Sequence, residues 1–290
     1  MILVFGATGN VGTELVRLLA EKKEAVRAFA RNPQSLPSSP TVEPFPGDIS
    51  NPTNVQMALK GITRIFLLAP PPIPSYPEPV RSIVAAVKKA GVQHIVFLDG
   101  LGANLNSPVF GYKQGAHTEW EIESADLPYT FLRASFFMQN LGQSMAGGIA
   151  SQNAIYSSAV EGKISMIDTR DIAAVAAHVL TENGHESFTY ELTGGEALSF
   201  GQVAEKLSAL LGRTVNHVSL SEPQLYQALR SAGVPDLFVK NFIGMFNLWR
   251  YGQGERISGH VEILTGNPPR TLDAYLHENA AAFQLAQAPA

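Results

Sequence analysis

The residues with the clearest chemical meaning are three glycines near the start of the chain, spaced three positions apart: Gly6, Gly9 and Gly12. They follow a short apolar run, residues 2–5, and precede an amphipathic stretch, residues 11–19. This order predicts a strand, a tight turn and a helix whose backbone N–H groups and positive dipole end are directed at one point. A diphosphate can bind at such a point, and glycine is required because a side chain would block the phosphates. A strand–turn–helix without a ligand is the alternative interpretation.

The end of the second predicted strand bears on which dinucleotide would bind. An acidic residue at this position normally binds the ribose 2′-hydroxyl of NAD. Here the strand, residues 25–30, is followed instead by Arg31. A guanidinium can donate two parallel hydrogen bonds to a 2′-phosphate. We therefore predict that NADP(H) is preferred, with NAD(H) left open; an ordinary surface arginine is the alternative.

Two more strand ends would border the same ligand. Asp48 follows the third predicted strand, where it could accept a hydrogen bond from the adenine amine or equally bond its own backbone, as turn aspartates do. The fourth strand runs into Ala69 and Pro70. Small residues at this point would let a cofactor lie across the strand tips, whereas a stiff proline loop is the other interpretation.

Strand-like and helix-like segments alternate through the first half of the chain. The predicted strands span residues 2–5, 25–30, 42–45, 63–69, 92–98 and 129–132, and the predicted helices span residues 11–19, 52–59, 79–90 and 117–124. Near-continuous apolar strands that alternate with helices are typical of a parallel sheet buried on both faces. The pattern predicts an α/β fold with a doubly wound parallel (Rossmann) sheet, whose ligand crevice lies at the carboxyl ends of the strands.

The pattern changes after about residue 134, where helix-like segments become more frequent. We predict an NADP-binding Rossmann domain over residues 1–134, with a return segment near residues 155–180. Residues 135–290 are expected to form a smaller, mostly helical substrate domain.

Composition excludes several classes of function. The chain has 290 residues, of which 45% are hydrophobic, so it can bury a substantial core. Its net charge of −4, without a basic cluster, argues against nucleic acid and membrane partners. The absence of cysteine excludes disulfides and thiolate chemistry, and the seven histidines show no metal-binding spacing. No apolar stretch approaches the ~20 residues of a membrane helix, so we expect a soluble, cytoplasmic protein without a metal.

The chain contains seven motifs that can be compared with known families: GATGNVG, ARNP, GDISNP, AGVQHIVFL, LPYTFLR, FFMQN and TRDIAAVAAHVL. They resemble those of the NmrA-like atypical short-chain dehydrogenases, and within that family those of the bacterial NAD(P)H:quinone and triphenylmethane-dye reductases. The resemblance implies that NADP(H) is bound by Gly6, Thr8, Gly9, Asn10, Val11 and Arg31. It further implies that Ala69 and Pro70 lie under the cofactor, and that Phe136, Phe137 and Asn140 lie near the nicotinamide and the substrate.

The chain departs from the usual short-chain dehydrogenase pattern at the residues that provide the general acid. That pattern has a serine after the fifth strand and a tyrosine followed four residues later by lysine, which lowers the tyrosine pKa. Here Tyr112 is followed at that distance by Ala116, and no serine ends the fifth strand. If a proton donor is needed, the nearest candidates are Tyr112, Lys113 and His117, although a surface histidine is the alternative interpretation of His117.

Hydride transfer to a quinone or dye needs little acid catalysis, because the acceptor is already electrophilic. We therefore expect an NADPH-dependent reductase of quinones, azo or other dyes, or similar small aromatic or conjugated molecules. The alternative is a non-catalytic NADP(H) redox-sensing regulator that acts through a protein partner. A sugar-nucleotide epimerase shares the fold but normally needs the missing acid. The oligomeric state is left open, with a homodimer as one option.

Overall fold

The protein is described by a computed structural model that covers residues 1–36, 39–68 and 77–284. Its strands are β1 (Ile2–Phe5), β2 (Val26–Ala30), β3 (Val42–Pro46), β4 (Arg64–Leu68), β5 (His94–Gly100), β6 (Tyr129–Ala134), β7 (Ala154–Ser157), β8 (Lys163–Ile164), β9 (Phe188–Leu192), β10 (Leu198–Ser199) and β11 (Asn216–Ser219). Its α-helices are α1 (Asn10–Glu21), α2 (Pro52–Ala58), α3 (Glu78–Lys89), α4 (Phe110–Ser124), α5 (Ala146–Gln152), α6 (Thr169–Thr181), α7 (Phe200–Leu211), α8 (Glu222–Ser231), α9 (Asp236–Arg250), α10 (His260–Thr265) and α11 (Leu272–Glu278).

The chain divides into two compact units, each built from separated segments. The first unit comprises Met1–Ala134, Thr169–Leu192 and His260–Asn267, and the second comprises Ser135–Asp168, Thr193–Gly259 and Pro268–Ala290. The segment that returns to the first unit thus begins at Thr169, and residues 155–168 belong to the second unit.

A seven-stranded sheet forms the centre of the first unit. Its strand order is β3-β2-β1-β4-β5-β6-β9, and every neighbouring pair is parallel. All four residues of β1 are buried, as expected for a strand covered on both faces. The predicted α/β fold with a doubly wound parallel sheet is confirmed.

Helices cover both faces of this sheet. On one face, alternate strand residues such as Leu3 and Phe97 form a core with Val55 of α2, Val84 of α3 and Ile122 of α4. Helices α1 and α6 pack against each other, and α6 also contacts β4, β5 and β6. The carboxyl ends of the strands therefore share one edge of a rigid, fully packed layer.

The second unit combines helices with two small sheets. Strand β7 pairs in parallel with β11, and β8 pairs antiparallel with β10. Helix α7 begins at a capping box formed by Ser199 and Gln202 and ends at Gly212, whose φ of +63° closes the helix. A continuous apolar cluster, including Phe200, Phe246 and Trp249, forms the core of this unit.

The structure differs from the sequence-based element boundaries in two places that matter for the site. Helix α4 begins at Phe110, seven residues before the predicted start, so Tyr112 and Lys113 lie on its first turn. Strand β9 pairs with β6 and becomes the seventh strand of the main sheet, in addition to the six strands predicted from the first half of the chain. Within the described ranges, no helix combines the length and the apolar character needed to cross a bilayer.

Candidate dinucleotide site

The turn between β1 and α1 has a geometry that requires glycine at two positions. Gly6 has a φ of +68°, and a Cβ added there would lie 2.8 Å from Leu68 Cδ2. At Gly12 an added Cβ would lie only 2.1 Å from the carbonyl oxygen of Gly6. The backbone of α1 therefore packs directly on the turn, leaving a cradle that any larger residue would fill.

The first turn of α1 is open to an anion. Gly9 is the N-cap and supplies no capping side chain, and the described first turn carries no acidic side chain. Thr8, Gly9 and Asn10 are exposed, whereas Val11 and Gly12 are buried beneath them. Backbone N–H groups at a helix N-terminus and the helix dipole together favour a negative charge at this position. Residues 8–12 fit the diphosphate of a dinucleotide.

Two arginines, one within β2 and one directly after it, have different surroundings. Arg27 donates hydrogen bonds to the Glu43 carboxylate and to the carbonyl oxygens of Ala58 and Lys60, at 2.8–3.0 Å. Arg31, directly after β2, is exposed, and it forms neither a hydrogen bond nor an ion pair within the described part of the chain. Of these two arginines, Arg31 is therefore the one available to a phosphate group beside the turn.

Asp48 lies close to this arginine because the ends of β2 and β3 are held together. Ala30 pairs with the last residue of β3, and the Gly47 N–H donates to the Ala30 carbonyl at 3.0 Å. The Asp48 Oδ1 accepts hydrogen bonds from the N–H and hydroxyl of Ser50, at 2.9 and 2.8 Å. These bonds, and to a lesser degree the charge of Arg31, lower the pKa of Asp48. These contacts are those of a turn aspartate, which was one of the two interpretations of Asp48. A contact with the adenine amine stays a prediction.

The remaining predicted cofactor contacts are at the end of β4. Leu68, the last residue of that strand, forms one side of the cradle next to Gly6. Ala69 and Pro70 lie outside the described residues.

The three candidate proton donors share helix α4. The Tyr112 ring lies flat against the backbone after β5, where a Cβ at Gly100 or Gly102 would come within 2.6 or 2.3 Å of it. Lys113 is exposed and His117 is half-buried, and the two lie one helical turn apart. The absence of side chains at the two glycines thus positions Tyr112 at the carboxyl end of β5.

Asp99 is a chemically distinctive residue that the sequence reasoning did not select. It ends the buried part of β5, where Oδ1 accepts the Gly100 N–H at 2.7 Å, while Oδ2 is buried without a hydrogen-bond partner among the described residues. A Cβ at Gly115 of α4 would lie 1.9 Å from Oδ1, so the glycine makes room for this carboxyl group. Burial, followed by the charge of Glu119, raises the pKa of Asp99 to about 8. The signal in the sequence was an acidic residue at the end of an otherwise apolar strand.

The predicted substrate residues all belong to the second unit. Phe136 is only 8% exposed and packs edge-on against Trp249, with ring centroids 5.1 Å apart, so its ring is part of the core. Phe137 is half-buried and forms a β-bridge with Ile167. Asn140 is half-buried and directly precedes a π-helical turn, Leu141–Met145. Their predicted role at the substrate stays a prediction.

The first unit therefore brings together an anion-binding turn, an unpaired guanidinium and an acidic turn at one edge of a parallel sheet. This combination defines a dinucleotide-binding α/β protein, with the phosphate selectivity that Arg31 would give. The family follows from comparison with other chains: the sequence model of the NmrA-like family matches residues 1–276, and the protein belongs to that family.

Three relatives extend the comparison over nearly the whole chain. The NAD(P)H azoreductase of Xenophilus azovorans is 35% identical over 291 residues, which cover 99% of this chain and 100% of that protein. The NADPH-dependent quinone oxidoreductase of Escherichia coli, solved with NADPH, has a TM-score of 0.87 at 28% identity, with 96% and 99% of the two chains covered. The triphenylmethane reductase of Citrobacter sp., solved with NADP(H), has a TM-score of 0.80 at 26% identity, with 97% and 100% covered. The family predicted from the motifs is confirmed.

Proposed function

We propose that the protein is an NADPH-dependent reductase that transfers hydride to quinones, azo or other dyes, or similar conjugated small molecules. The observation that carries this proposal is the close-packed glycine turn at Gly6 and Gly12, with residues 8–10 exposed at the start of α1, together with the guanidinium of Arg31, which has no ion pair among the described residues. The names of the azoreductase, quinone oxidoreductase and triphenylmethane reductase relatives support both the cofactor and the class of acceptor.

Each phosphate group of the cofactor can be matched to residues of the chain. Residues 8–12 would hold the diphosphate through backbone N–H groups, and Arg31 would pair with the 2′-phosphate. Bound NADPH supplies a hydride, which with one proton from water or a side chain converts a quinone to its hydroquinone and leaves NADP⁺. What the protein must add is orientation of the acceptor and exclusion of water.

The reductase activity can be measured directly. The purified protein is incubated with NADPH and a panel of neutral quinones, azo dyes and triphenylmethane dyes, and loss of the near-ultraviolet absorbance of the reduced nicotinamide is followed. We expect consumption that depends on the acceptor and is faster with NADPH than with NADH. Failure of every acceptor to accelerate consumption would contradict the proposal and favour the redox-sensing alternative.

Helix α4 is the proposed source of the proton that accompanies the hydride. Tyr112, Lys113 and His117 are tested singly as Tyr112→Phe, Lys113→Ala and His117→Gln. A general acid contributes about 10²–10⁴-fold to a rate, so the donor is identified by a loss of kcat of about that size with unchanged NADPH binding. If all three variants retain near-full kcat, the proton comes from water instead.

We also propose a cytoplasmic location and a homodimer. The surface that a partner copy would cover is proposed to include Trp120 and Phe188, large apolar side chains of the first unit that are 47% and 51% exposed. Light scattering coupled to size-exclusion chromatography measures the mass in solution, and fractionation of cells measures the location.

A further inference from the structure

The buried carboxyl group of Asp99 lies between strand β5 and helix α4. The residue is 5% exposed, and its Oδ1 accepts a hydrogen bond from the N–H of Gly100, its neighbour in the chain. A Cβ at Gly115 of α4 would lie 1.9 Å from Oδ1 and 2.3 Å from Oδ2, so both oxygens face the backbone of the helix. Oδ2 has no hydrogen-bond partner among the residues that the structure describes. This carboxyl group is therefore part of the contact between the helix and the end of the strand.

An ion pair between α4 and strand β6 lies beside this carboxyl group. Asp99 and Arg133 are register partners on the neighbouring strands β5 and β6. Phe97 and Phe131, two residues earlier on the same strands, belong to the core under α4, so Asp99 and Arg133 leave the sheet on that same face. Glu119 of α4 is 5% exposed and accepts hydrogen bonds from Nε of Arg133, at 2.9 Å, and from its Nη2. Arg133 therefore connects β6 to α4 through Glu119, next to Asp99.

The surroundings of Asp99 favour its neutral form. A buried carboxylate oxygen without a hydrogen-bond partner is costly, and a second carboxylate nearby adds to that cost. Burial, and then the charge of Glu119 on α4, raises the pKa of Asp99 to about 8, although the Gly100 N–H and the charge of Arg133 on β6 act in the opposite direction. At neutral pH the charges of this contact are therefore those of Glu119 and Arg133, and Asp99 contributes an uncharged side chain.

Loss of the Asp99 proton to solvent would place two carboxylates beside one guanidinium. Arg133 could then donate hydrogen bonds to Asp99 as well as to Glu119, which would weaken its connection to the helix. The new carboxylate would also repel Glu119, because like charges at short range oppose each other. Both effects act in the same direction, since both weaken the contact of α4 with the sheet.

The same contact positions the candidate proton donors. Tyr112, Lys113 and His117 lie on the first half of α4, within three residues of Gly115. The ring of Tyr112 also packs on the chain directly after Asp99. A movement of the helix at Gly115 would therefore displace all three side chains.

We propose that Asp99 is a positioning residue that holds the first half of α4 against β5 as a neutral acid and releases it as a carboxylate. Its effect on turnover rests on the proposed reductase function, whereas its effect on the helix does not. In the neutral state Arg133 binds Glu119, and the proton donors keep their positions. In the ionised state Asp99 shares Arg133, and α4 moves away from β5 together with the donors. A rise in pH therefore lowers kcat without weakening NADPH binding, because the residues assigned to the phosphates lie outside α4.

Trp120 reports on α4 without any cofactor. It follows Glu119 on the helix and is 47% exposed, and Trp120→Phe identifies its share of the emission, since Trp249 is the other tryptophan of the chain. We expect the Trp120 fluorescence to change with pH around a midpoint near 8. The transition should be lost in Asp99→Asn, because the amide cannot ionise. Absence of the transition in the parent protein between about pH 6 and pH 10, or its persistence in Asp99→Asn, would overturn the proposal.

Glu119→Gln tests the competition for Arg133 while Asp99 stays in place. The substitution removes the repelling carboxylate and leaves the guanidinium to Asp99, and an opposite charge at ion-pair distance lowers the pKa of a carboxyl group by about 1–3 units. The midpoint of the fluorescence transition should therefore fall by at least about one pH unit. An unchanged midpoint would contradict the assigned role of Arg133.

Glu123→Gln is the matched control for this substitution. Glu123 lies one turn further along α4, and its carboxylate accepts a hydrogen bond from the Tyr129 hydroxyl at 2.8 Å. The same change of carboxylate to amide should therefore leave the midpoint where it is in the parent protein. A fall as large as that in Glu119→Gln would show that the total charge of the helix, and not the pair with Arg133, sets the transition.

Turnover separates this proposal from the reductase function. In the parent protein kcat should fall about tenfold per pH unit above the midpoint, as for one group needed in its protonated form, while the Kd of NADPH stays constant. In Asp99→Asn the fall should begin at a higher pH. If the two proteins reduce an acceptor with the same alkaline decline in kcat, Asp99 does not position the donors and the reductase function stands. If no acceptor is reduced but the fluorescence transition depends on Asp99, the helix contact stands and the reductase function is contradicted.

Discussion

Arg27 and Arg31 lie four positions apart in the sequence, but their different surroundings give them different roles. Both carry the same guanidinium, but Arg27 is held by Glu43 and two carbonyl groups, while Arg31 extends from the strand end into solvent. An arginine whose hydrogen bonds are already made stabilises the fold, and one whose donors are free can bind a phosphate.

Replacing Arg31 tests its assignment to the 2′-phosphate. Arg31→Ala should weaken NADPH binding by about 1.5–3 kcal/mol through loss of a charge-assisted hydrogen bond, and should leave NADH binding nearly unchanged. Isothermal titration calorimetry with both cofactors measures the difference. Arg17→Ala is the control, because Arg17 is an exposed arginine of α1 paired with Glu14 and Glu21. Equal losses for NADPH and NADH would contradict the assignment.

Asp99 illustrates the effect of burial on a single carboxyl group. Its pKa is about 8 in the folded protein against an ordinary value of 3.8. The folded protein therefore retains a proton that the unfolded chain releases, and the free energy of unfolding falls as the pH rises from about 4 through 8.

Asp99→Asn should remove this pH dependence, because the amide stays neutral. We expect the stability advantage of the variant over the parent protein to grow between pH 5 and pH 9 by a few kcal/mol, at about 1.4 kcal/mol per pKa unit. Urea unfolding at the two pH values measures the difference. Asp126→Asn, an exposed position in the same unit, should show no such change with pH.

At the scale of elements, the contact between the turn and α1 determines whether the dinucleotide site can form. Because an added Cβ at Gly12 meets the carbonyl oxygen of Gly6 at 2.1 Å, Gly12→Ala must push the helix away from β1. We expect a loss of about 1–3 kcal/mol in the free energy of unfolding and weaker binding of NADPH and NADH alike. Thermal unfolding and cofactor titration measure the two effects.

Gly147→Ala provides the matched control for this substitution. Gly147 lies in α5, and an added Cβ there meets no atom within 4 Å. Alanine should therefore leave stability unchanged or raise it by up to about 1 kcal/mol through helix propensity. A destabilisation equal to that of Gly12→Ala would show that close packing at Gly12 is not the cause.

Local signals in the sequence were sufficient for elements whose ends are defined locally. Ser199 and Gly212 delimit α7, and such ends can be recognised in a sequence because capping depends on a few neighbouring residues. The start of α4 was missed because its first turn, around Gly111 and Tyr112, has no side-chain cap and packs against Gly100 and Gly102, which are distant in sequence. The place of β9 in the sheet was missed for a similar reason, because strand pairing is set by tertiary contacts.

At the scale of the whole molecule, the motif spacing was enough to identify the parallel sheet and the family. The assignment of chain segments to the two units could not be predicted from the sequence in the same way. Residues 169–192 return to the first unit because α6 packs against α1 and the sheet, and residues 260–267 return because α10 packs against α6 and β9. No local pattern encodes these choices. The buried carboxyl group of Asp99 likewise depends on packing between distant segments.

Cofactor binding should be visible in the stability of the whole protein. A ligand that binds only the folded state stabilises it by RT ln(1 + [L]/Kd), about 2.7 kcal/mol at a hundredfold excess over Kd. NADPH should therefore raise the thermal unfolding midpoint more than the same concentration of NADH, because only NADPH offers a 2′-phosphate to Arg31. In Arg31→Ala the two cofactors should give equal shifts, and differential scanning fluorimetry measures all four combinations. A persistent advantage of NADPH in that variant would mean that another cation selects the phosphate.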